Sequence, residues 1–160
     1  QYKESIALAK IALLDYLACY SAGLQSAKRK GLLQASLEKA GSHLILLTPY
    51  RTSKEQSALL SGYLAHYHDL DGVQANFRGH PSAVIFSALL AVSDADDSFE
   101  RLLAAYVQGV EFAGRIGLQC QPQHIKQGWH STATIGSLAA AVAIGYFKTL
   151  PLTDILSYYR

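Results

Sequence analysis

Residues 132–147, TATIGSLAAAVAIGYF, consist almost entirely of apolar and small side chains. Alanine and glycine have small or no side chains, so a second helix can approach the backbone of this stretch closely. The stretch is shorter than the ~20 residues that a helix needs to cross a bilayer. We therefore predict a buried helix at the centre of the fold and no membrane-spanning role.

Helices are predicted around this stretch because apolar residues recur at intervals of three or four. Ser53 with Gln56 is a capping-box pattern, Pro81 suits the first turn of a helix, and Asp97 with Glu100 forms another capping pair. No alternation of period two is present. The predicted fold class is therefore all-α, a helical bundle-like domain with Ala/Gly core helices. The predicted helices cover residues 3–24, 32–40, 53–66, 81–92, 97–117 and 130–147.

The composition narrows the class of protein. The chain has 160 residues, 50% of them hydrophobic, and a formal charge of +2, with no long basic block. These values favour one domain with a substantial core and argue against nucleic acid as a partner. Cys19 and Cys120 are not a spaced pair, which predicts free thiols and a cytoplasmic location. We expect residues 1–160 to form a single domain of a longer protein, since the chain starts at Gln1 and contains no methionine.

The polar stretch at residues 61–82, SGYLAHYHDLDGVQANFRGHPS, is the candidate site. Imidazole and carboxylate groups together serve proton transfer or metal binding. The imidazole before Pro81 stands at a predicted helix start, which favours a bound anion and a neutral ring. A neutral ring there can act as base or donor. The stretch contains these polar residues: His66, His68, Asp69, Asp71, Arg78 and His80.

A second polar loop, residues 119–130, ends at another helix start. His130 precedes that helix, and Ser131 and Thr132 can cap it. Two helix N-termini, each marked by a histidine, are therefore expected to converge. Arg78 and Lys126 would make the shared pocket electropositive, which suits a substrate with carboxylate groups.

Two other interpretations remain open. The metal-binding pattern His-x-His-x-Asp-His fails because Leu70 occupies its fifth position. The pair His68-Asp69 is similar to that of the metal-dependent HD phosphohydrolases, with His43 or His66 as a further ligand. A non-catalytic helical interaction module is the third interpretation.

Glycines at three positions near the end of the long predicted helix, Gly109, Gly114 and Gly117, weaken a helix by ~1 kcal/mol each. Such residues are tolerated where two backbones touch. No strand precedes them, so a phosphate-binding loop is not expected. We predict a structural role for all three.

Five segments together resemble the MmgE/PrpD family, which includes 2-methylcitrate dehydratase, cis-aconitate decarboxylase and iminodisuccinate epimerase. Residues 11–23 resemble its opening helix. Residues 60–71 resemble its signature N-G-x-x-x-H-x-x-D-F-D-D, and residues 80–82 its H-P-S helix start. Residues 105–117 resemble its A-Y-x-x-G-x-E-x-x-x-R-x-G helix, and residues 128–133 its G-x-H-x-T block. The order of the five segments makes the resemblance specific.

The resemblance implies an all-α domain, a homodimer, and an active site without cofactor or metal. It also implies proton abstraction next to a carboxylate of a small di- or tricarboxylate, coupled to loss of water or carbon dioxide or to reprotonation. Ser61, Gly72 and Val73 depart from the family pattern, so the substrate is not named. Carried over by position, the catalytic residues are Asp69, His80 and His130. The further predicted substrate-binding residues are His66, Asp71, Arg78 and Lys126.

Overall fold

The long helices of the computed structural model lie where the apolar spacing predicts them, whereas a four-residue helix occupies part of the predicted loop at 119–130. The structure describes residues 2–26, 41–151 and 153–154. The predicted helix at 32–40 lies outside these ranges. The all-α fold class is confirmed. The described helices are α1 (Tyr2–Gln25), α2 (Lys54–Ala65), α3 (Pro81–Val92), α4 (Phe99–Cys120), α5 (Gln123–Lys126) and α6 (Ser131–Lys148).

The first turns of α2 and α3 follow the signals that predict them. The Ser53 side chain accepts a hydrogen bond from the backbone N–H of Gln56 at 3.2 Å, as the capping pattern requires. Pro81 is the first residue of α3, where its missing N–H removes no helical hydrogen bond. Both predicted starts are confirmed.

The predicted cap of α4 is wrong. Ser98 is the N-cap, and its side chain accepts the backbone N–H of Arg101 at 3.3 Å. The Asp97 carboxylate instead accepts the N–H of Asp94 at 2.9 Å and pairs with Lys148 at 2.6 Å. The hydrogen bond from Lys148 lowers the pKa of Asp97, and the backbone bond adds to this effect. A carboxylate held by the end of α6 is not available to cap α4.

A short hairpin occupies the apolar run at 44–47, where the sequence leaves a strand or an extended segment open. Strand β1 (His43–Leu44) pairs antiparallel with strand β2 (Arg51–Thr52). Ile45, which follows β1, is fully buried in a small cluster with Leu60 of α2. The hairpin therefore attaches to α2 without changing the fold class.

Small residues form the contact at the centre of the fold. Helix α6 packs against both α4 and α3. Ala139 and Ala143 of α6 are fully buried. A Cβ on Gly109 of α4 would lie 3.0 Å from the Ala139 carbonyl oxygen and 3.1 Å from the Ala143 Cβ. The predicted close approach of a second helix to the Ala-rich stretch is therefore confirmed.

Helix α1 belongs to this core although its outer face is apolar. Within the described residues it alone is long and apolar enough to cross a membrane, a test that core helices of soluble proteins also pass. Tyr16 and Tyr20 are fully buried. The Tyr16 hydroxyl shares a hydrogen bond with the Ser87 hydroxyl at 2.9 Å, and the Tyr20 hydroxyl donates to the Leu46 carbonyl at 2.8 Å. Burial raises the pKa of Tyr20 to about 12. These buried polar contacts tie α1 to α3 and to the hairpin.

The other two glycines of α4 support the loop between α2 and α3. A Cβ on Gly117 would overlap the backbone oxygen of Asn76, and a Cβ on Gly114 would lie 2.9 Å from the Gln74 amide nitrogen. Phe77 of the same loop is fully buried. The predicted structural role of these glycines is confirmed, and the partner is the loop that carries most of the candidate site.

The contact of Gly117 with the loop backbone predicts that a side chain at this position lowers the stability of the domain. We expect Gly117→Ala to lower the free energy of unfolding by about 1–3 kcal/mol, because the added methyl group must displace the backbone of the loop. Chemical denaturation measures this change.

Gly62→Ala in α2 is the matched control. Its Cβ would lie 3.5 Å from the Ala83 carbonyl oxygen, which is ordinary contact. Alanine there should raise the stability by up to about 1 kcal/mol, because alanine is the better helix former. Equal effects of the two substitutions would contradict the proposed loop contact.

Candidate active site

The candidate active site lies in the loop that joins α2 to α3. His66 is the C-cap of α2 and His80 is the N-cap of α3, so the two imidazoles stand at either end of the loop. Between them Asp69 has a φ of 56°, in the left-handed region that aspartate tolerates better than most residues. The N–H of Gln74 donates to the Gly79 carbonyl at 3.1 Å and turns the chain back toward α3. The loop therefore brings both ends together.

Asp71 is the centre of the cluster. Its side chain is fully buried, and its carboxylate oxygen Oδ1 lies 2.8 Å from Nδ1 of His66. Its backbone oxygen lies 2.8 Å from Nδ1 of His80. A carbonyl oxygen can only accept a hydrogen bond, so Nδ1 of His80 carries the proton and donates it. In the neutral ring, Nε2 of His80 is then left with a free lone pair.

Asp69 faces the opposite nitrogen of each ring. One of its carboxylate oxygens lies 3.3 Å from Nε2 of His80 and 3.8 Å from Nε2 of His66. The ring centroids of the two histidines are 4.6 Å apart. The Asp69 side chain is 76% exposed, whereas that of His80 is 15% exposed. Asp69 therefore forms the solvent side of the cluster and Asp71 its buried side.

The starts of α3 and α6 meet beside this cluster. The backbone N–H of His80 donates to Oγ1 of Thr132 at 3.0 Å. His130, the N-cap of α6, is exposed, and its ring centroid lies 6.5 Å from that of His66. Three histidines that are distant in sequence therefore line one region, and the predicted convergence of two helix N-termini is confirmed.

The predicted capping of α6 by Ser131 and Thr132 is wrong. The Ser131 hydroxyl accepts a hydrogen bond from the Gln121 amide at 2.9 Å, and Thr132 accepts from His80. Both hydroxyls bind residues from other segments, and neither N-cap, His80 or His130, makes a side-chain capping bond. The N-terminal N–H groups of α3 and α6 therefore lack a side-chain cap.

An open apolar groove of about 310 Å³ leads to the cluster between α2 and α3. It reaches His66 and Thr132 at one end. The groove gives a ligand with an apolar part a path to the imidazole of His66. Its remaining lining residues are Ala58, Leu59, Gly62, Tyr63, Ala83, Val84, Ser87 and Ala88.

Two predicted cationic residues do not join the cluster. Arg78 lies exposed in the turn before Gly79, with a φ of 53°, and Lys126 lies exposed at the end of α5. Neither forms a hydrogen bond or ion pair with the His–Asp cluster in the described part of the chain. The expected electropositive pocket therefore has no support from these contacts.

The pair His68-Asp69 does not form a common site. His68 is exposed and lies against the ring of Tyr67, with centroids 4.8 Å apart. Within the described ranges, the cluster with metal-ligating side chains contains His66, Asp69, Asp71 and His80, and it includes neither His68 nor His43. The geometry therefore does not support an HD phosphohydrolase arrangement.

Asp15 of α1 belongs to the site region although sequence analysis did not select it. Its carboxylate accepts the backbone N–H of Gly72 at 3.0 Å and fixes the loop just after Asp71. Burial, followed by the charges of Asp15 and Asp71, raises the pKa of the Cys19 thiol. Both cysteines of the chain are free, as predicted. The sequence signal that could have identified Asp15 is a single acidic residue within an apolar helical stretch.

The comparisons with known proteins identify a family for the chain. The family model for the MmgE/PrpD N-terminal domain matches residues 2–157. The chain belongs to the MmgE/PrpD family. The search of curated proteins found no match. In this MmgE/PrpD domain Asp69 and His80 are 3.3 Å apart, and His130 lies at the edge of the cluster, with its ring 6.5 Å from that of His66.

The junction of α3 and α6 in this MmgE/PrpD domain predicts unequal effects of two threonine substitutions. Thr132→Val leaves the N–H of His80 without its acceptor, so we expect a loss of about 1–3 kcal/mol in the free energy of unfolding. Thr134→Val should cost less, because Thr134 is only partly buried and its partners, Nε2 of His124 and the His130 carbonyl, can bind water instead. Denaturation midpoints measure both, and a larger loss at Thr134 would contradict the assigned junction.

Proposed function

We propose that this site removes a proton from the carbon next to a carboxylate of a small di- or tricarboxylate. The step leads to loss of water or carbon dioxide, or to reprotonation. The observation that carries this proposal is the arrangement around Asp71, which binds Nδ1 of both His66 and His80. Their Nε2 atoms are thereby left as bases, and a neutral imidazole is suited to general-base catalysis near pH 7.

The roles within the cluster follow from burial. Asp71 was predicted to bind substrate, but its side chain is fully buried, so we propose instead that it orients the imidazoles. Asp69 is exposed and lies within 4 Å of both Nε2 atoms, so it can exchange protons between these bases and solvent. We propose Asp69, His80 and His130 as catalytic residues, with His66 as an assisting base that contacts substrate and Asp71 positioning both rings.

Substrate carboxylates would bind at the starts of α3 and α6. A helix N-terminus presents unpaired N–H groups and the positive end of the helix dipole, which together favour anions. Neither start makes a side-chain capping bond. Arg78 and Lys126 are exposed. We keep the prediction that their positive charges bind the outer carboxylates of the substrate.

We also propose that the chain acts as a cytoplasmic homodimer without a required cofactor. Free thiols at Cys19 and Cys120 suit a reducing compartment. Exposed apolar side chains on the outer face of α1, at Leu8, Ile11 and Leu14, offer a surface for self-association. No nucleic-acid or membrane partner is proposed.

Ligand binding is the first test. The melting temperature of the chain is measured with citrate, 2-methylcitrate, cis-aconitate and aspartate-derived dicarboxylates. A ligand present at 100 times its dissociation constant should add about 2.7 kcal/mol to the stability. A shift with one of these acids supports the proposed substrate class, and no shift from a cooperatively folded chain contradicts it.

Proton abstraction is tested by exchange of the substrate's C–H hydrogen with D₂O, followed by NMR. With the acid that shifts the melting temperature, we expect Asp69→Asn, His80→Asn and His130→Asn to slow exchange by at least about 100-fold, the lower end of general acid–base catalysis. Asn tolerates the positive φ of Asp69, and at His80 its amide can replace the Nδ1–H donor.

His68→Asn is the matched control for this experiment. His68 is exposed, lies in the same loop and is outside the cluster. Its substitution should leave exchange unchanged. Unchanged exchange in both the Asp69 and the His130 variants would overturn the site assignment.

A further inference from the structure

We propose that the cluster is also a binding site for one divalent cation of the zinc class. The ligands are Nε2 of His66, Nε2 of His80 and the carboxylate of Asp69. Asp71 holds the two imidazoles in the orientation that this requires. The site does not depend on the proposed reaction, because it needs no substrate.

The two separations between Asp69 and the ring nitrogens are close to those around a small metal ion. A tetrahedral ion with ligands about 2.0–2.1 Å away keeps neighbouring ligand atoms about 3.3 Å apart. The carboxylate oxygen of Asp69 lies 3.3 Å from Nε2 of His80 and 3.8 Å from Nε2 of His66. One donor atom from each residue of the four-membered cluster lies within 4.8 Å of the others. The separation between Asp69 and Nε2 of His66 must shorten by about 0.5 Å to reach the tetrahedral value.

The Nδ1 atoms of both imidazoles already have the hydrogen-bond partners that are usual in metal sites. Metal-ligating histidines usually donate their other ring N–H to a carboxylate or a backbone carbonyl. Here Nδ1 of His66 lies 2.8 Å from the Asp71 carboxylate, and Nδ1 of His80 lies 2.8 Å from the Asp71 carbonyl oxygen. One buried residue therefore supplies both types of partner and directs both Nε2 lone pairs toward Asp69.

The charge of the cluster also favours a cation. With neutral imidazoles, Asp69 and Asp71 contribute two negative charges. No Lys or Arg side chain from the described residues lies within 4.0 Å of either carboxylate. Oδ2 of Asp71 is buried and finds no hydrogen-bond partner there either. A buried carboxylate whose charge is not fully compensated lowers the stability of the fold. A cation bound in the cluster would therefore be stabilising.

The donor types select the class of ion. Two imidazoles with one carboxylate suit zinc, cobalt, nickel and iron(II), whereas magnesium and calcium prefer oxygen ligands. Three protein ligands leave further coordination positions for water or for a carboxylate. A bound ion also occupies the Nε2 lone pairs that proton abstraction needs. The cation-bound state and the state with a free general base are therefore alternatives.

Metal titration without substrate tests the proposal. After the chain is treated with chelator and dialysed, Zn²⁺ binding is measured by calorimetry and Co²⁺ binding by its visible d–d absorption. We expect one saturable site. Asp69→Asn and His80→Asn should weaken binding by at least about 100-fold, and Asp71→Asn by about 10–100-fold, because outer partners of ligands have effects of that size.

His68→Asn is the control for weak binding by surface histidines, and it should leave the affinity unchanged. Asp69→Asn keeps the test interpretable if the His80 variant fails to fold, since the Asp69 side chain is 76% exposed. The absence of saturable binding overturns the cation site, as does equal affinity in the Asp69 and His68 variants. Exchange of the substrate proton is measured separately on the chelated chain, so failure of one proposal leaves the other testable.

Discussion

A buried carboxylate is the constraint on which the candidate site depends. Asp71 lies at the bottom of the loop between α2 and α3, with its side chain fully buried and no Lys or Arg of the described residues beside it. Its compensation must come from the ring N–H of His66, while the ring N–H of His80 satisfies the backbone carbonyl of the same residue. This requirement sets the orientation of both rings, and through them the direction of the two Nε2 lone pairs. The exposed Asp69 then meets two lone pairs that can be satisfied only by protons or by a cation.

The rest of the domain keeps this loop in place. Glycines of α4 let the loop backbone lie directly on the helix, and the buried ring of Phe77 fixes it from inside. Thr132 joins the start of α6 to α3, because its side-chain hydroxyl accepts the backbone N–H of His80. The same Ala/Gly surfaces that allow close helix packing thus determine the positions of the catalytic candidates. The proposed acid–base chemistry and the proposed cation binding would use the same geometry, and the occupant of the Nε2 lone pairs would decide between them.

Local signals in the sequence were sufficient for the helices and for the choice of candidate residues. Apolar periodicity located the described helices, and Ser53 and Pro81 marked two helix starts, because capping and proline effects act within one turn. Ordered motifs selected Asp69, His80 and His130 and identified the family. The cap of α4 was misplaced for a non-local reason, since Asp97 is engaged by the end of α6.

Only the tertiary structure decided how these residues act together. It separated His68 from the cluster, placed Thr132 against His80 instead of in a helix cap, and brought Asp15 from α1 to the loop. By itself the sequence determined the all-α class, the helix positions and the chemistry-bearing residues, since these depend on composition and near-neighbour interactions. Burial, ring orientation and donor distances depend on contacts between segments far apart in the chain, so the folded structure alone decided them.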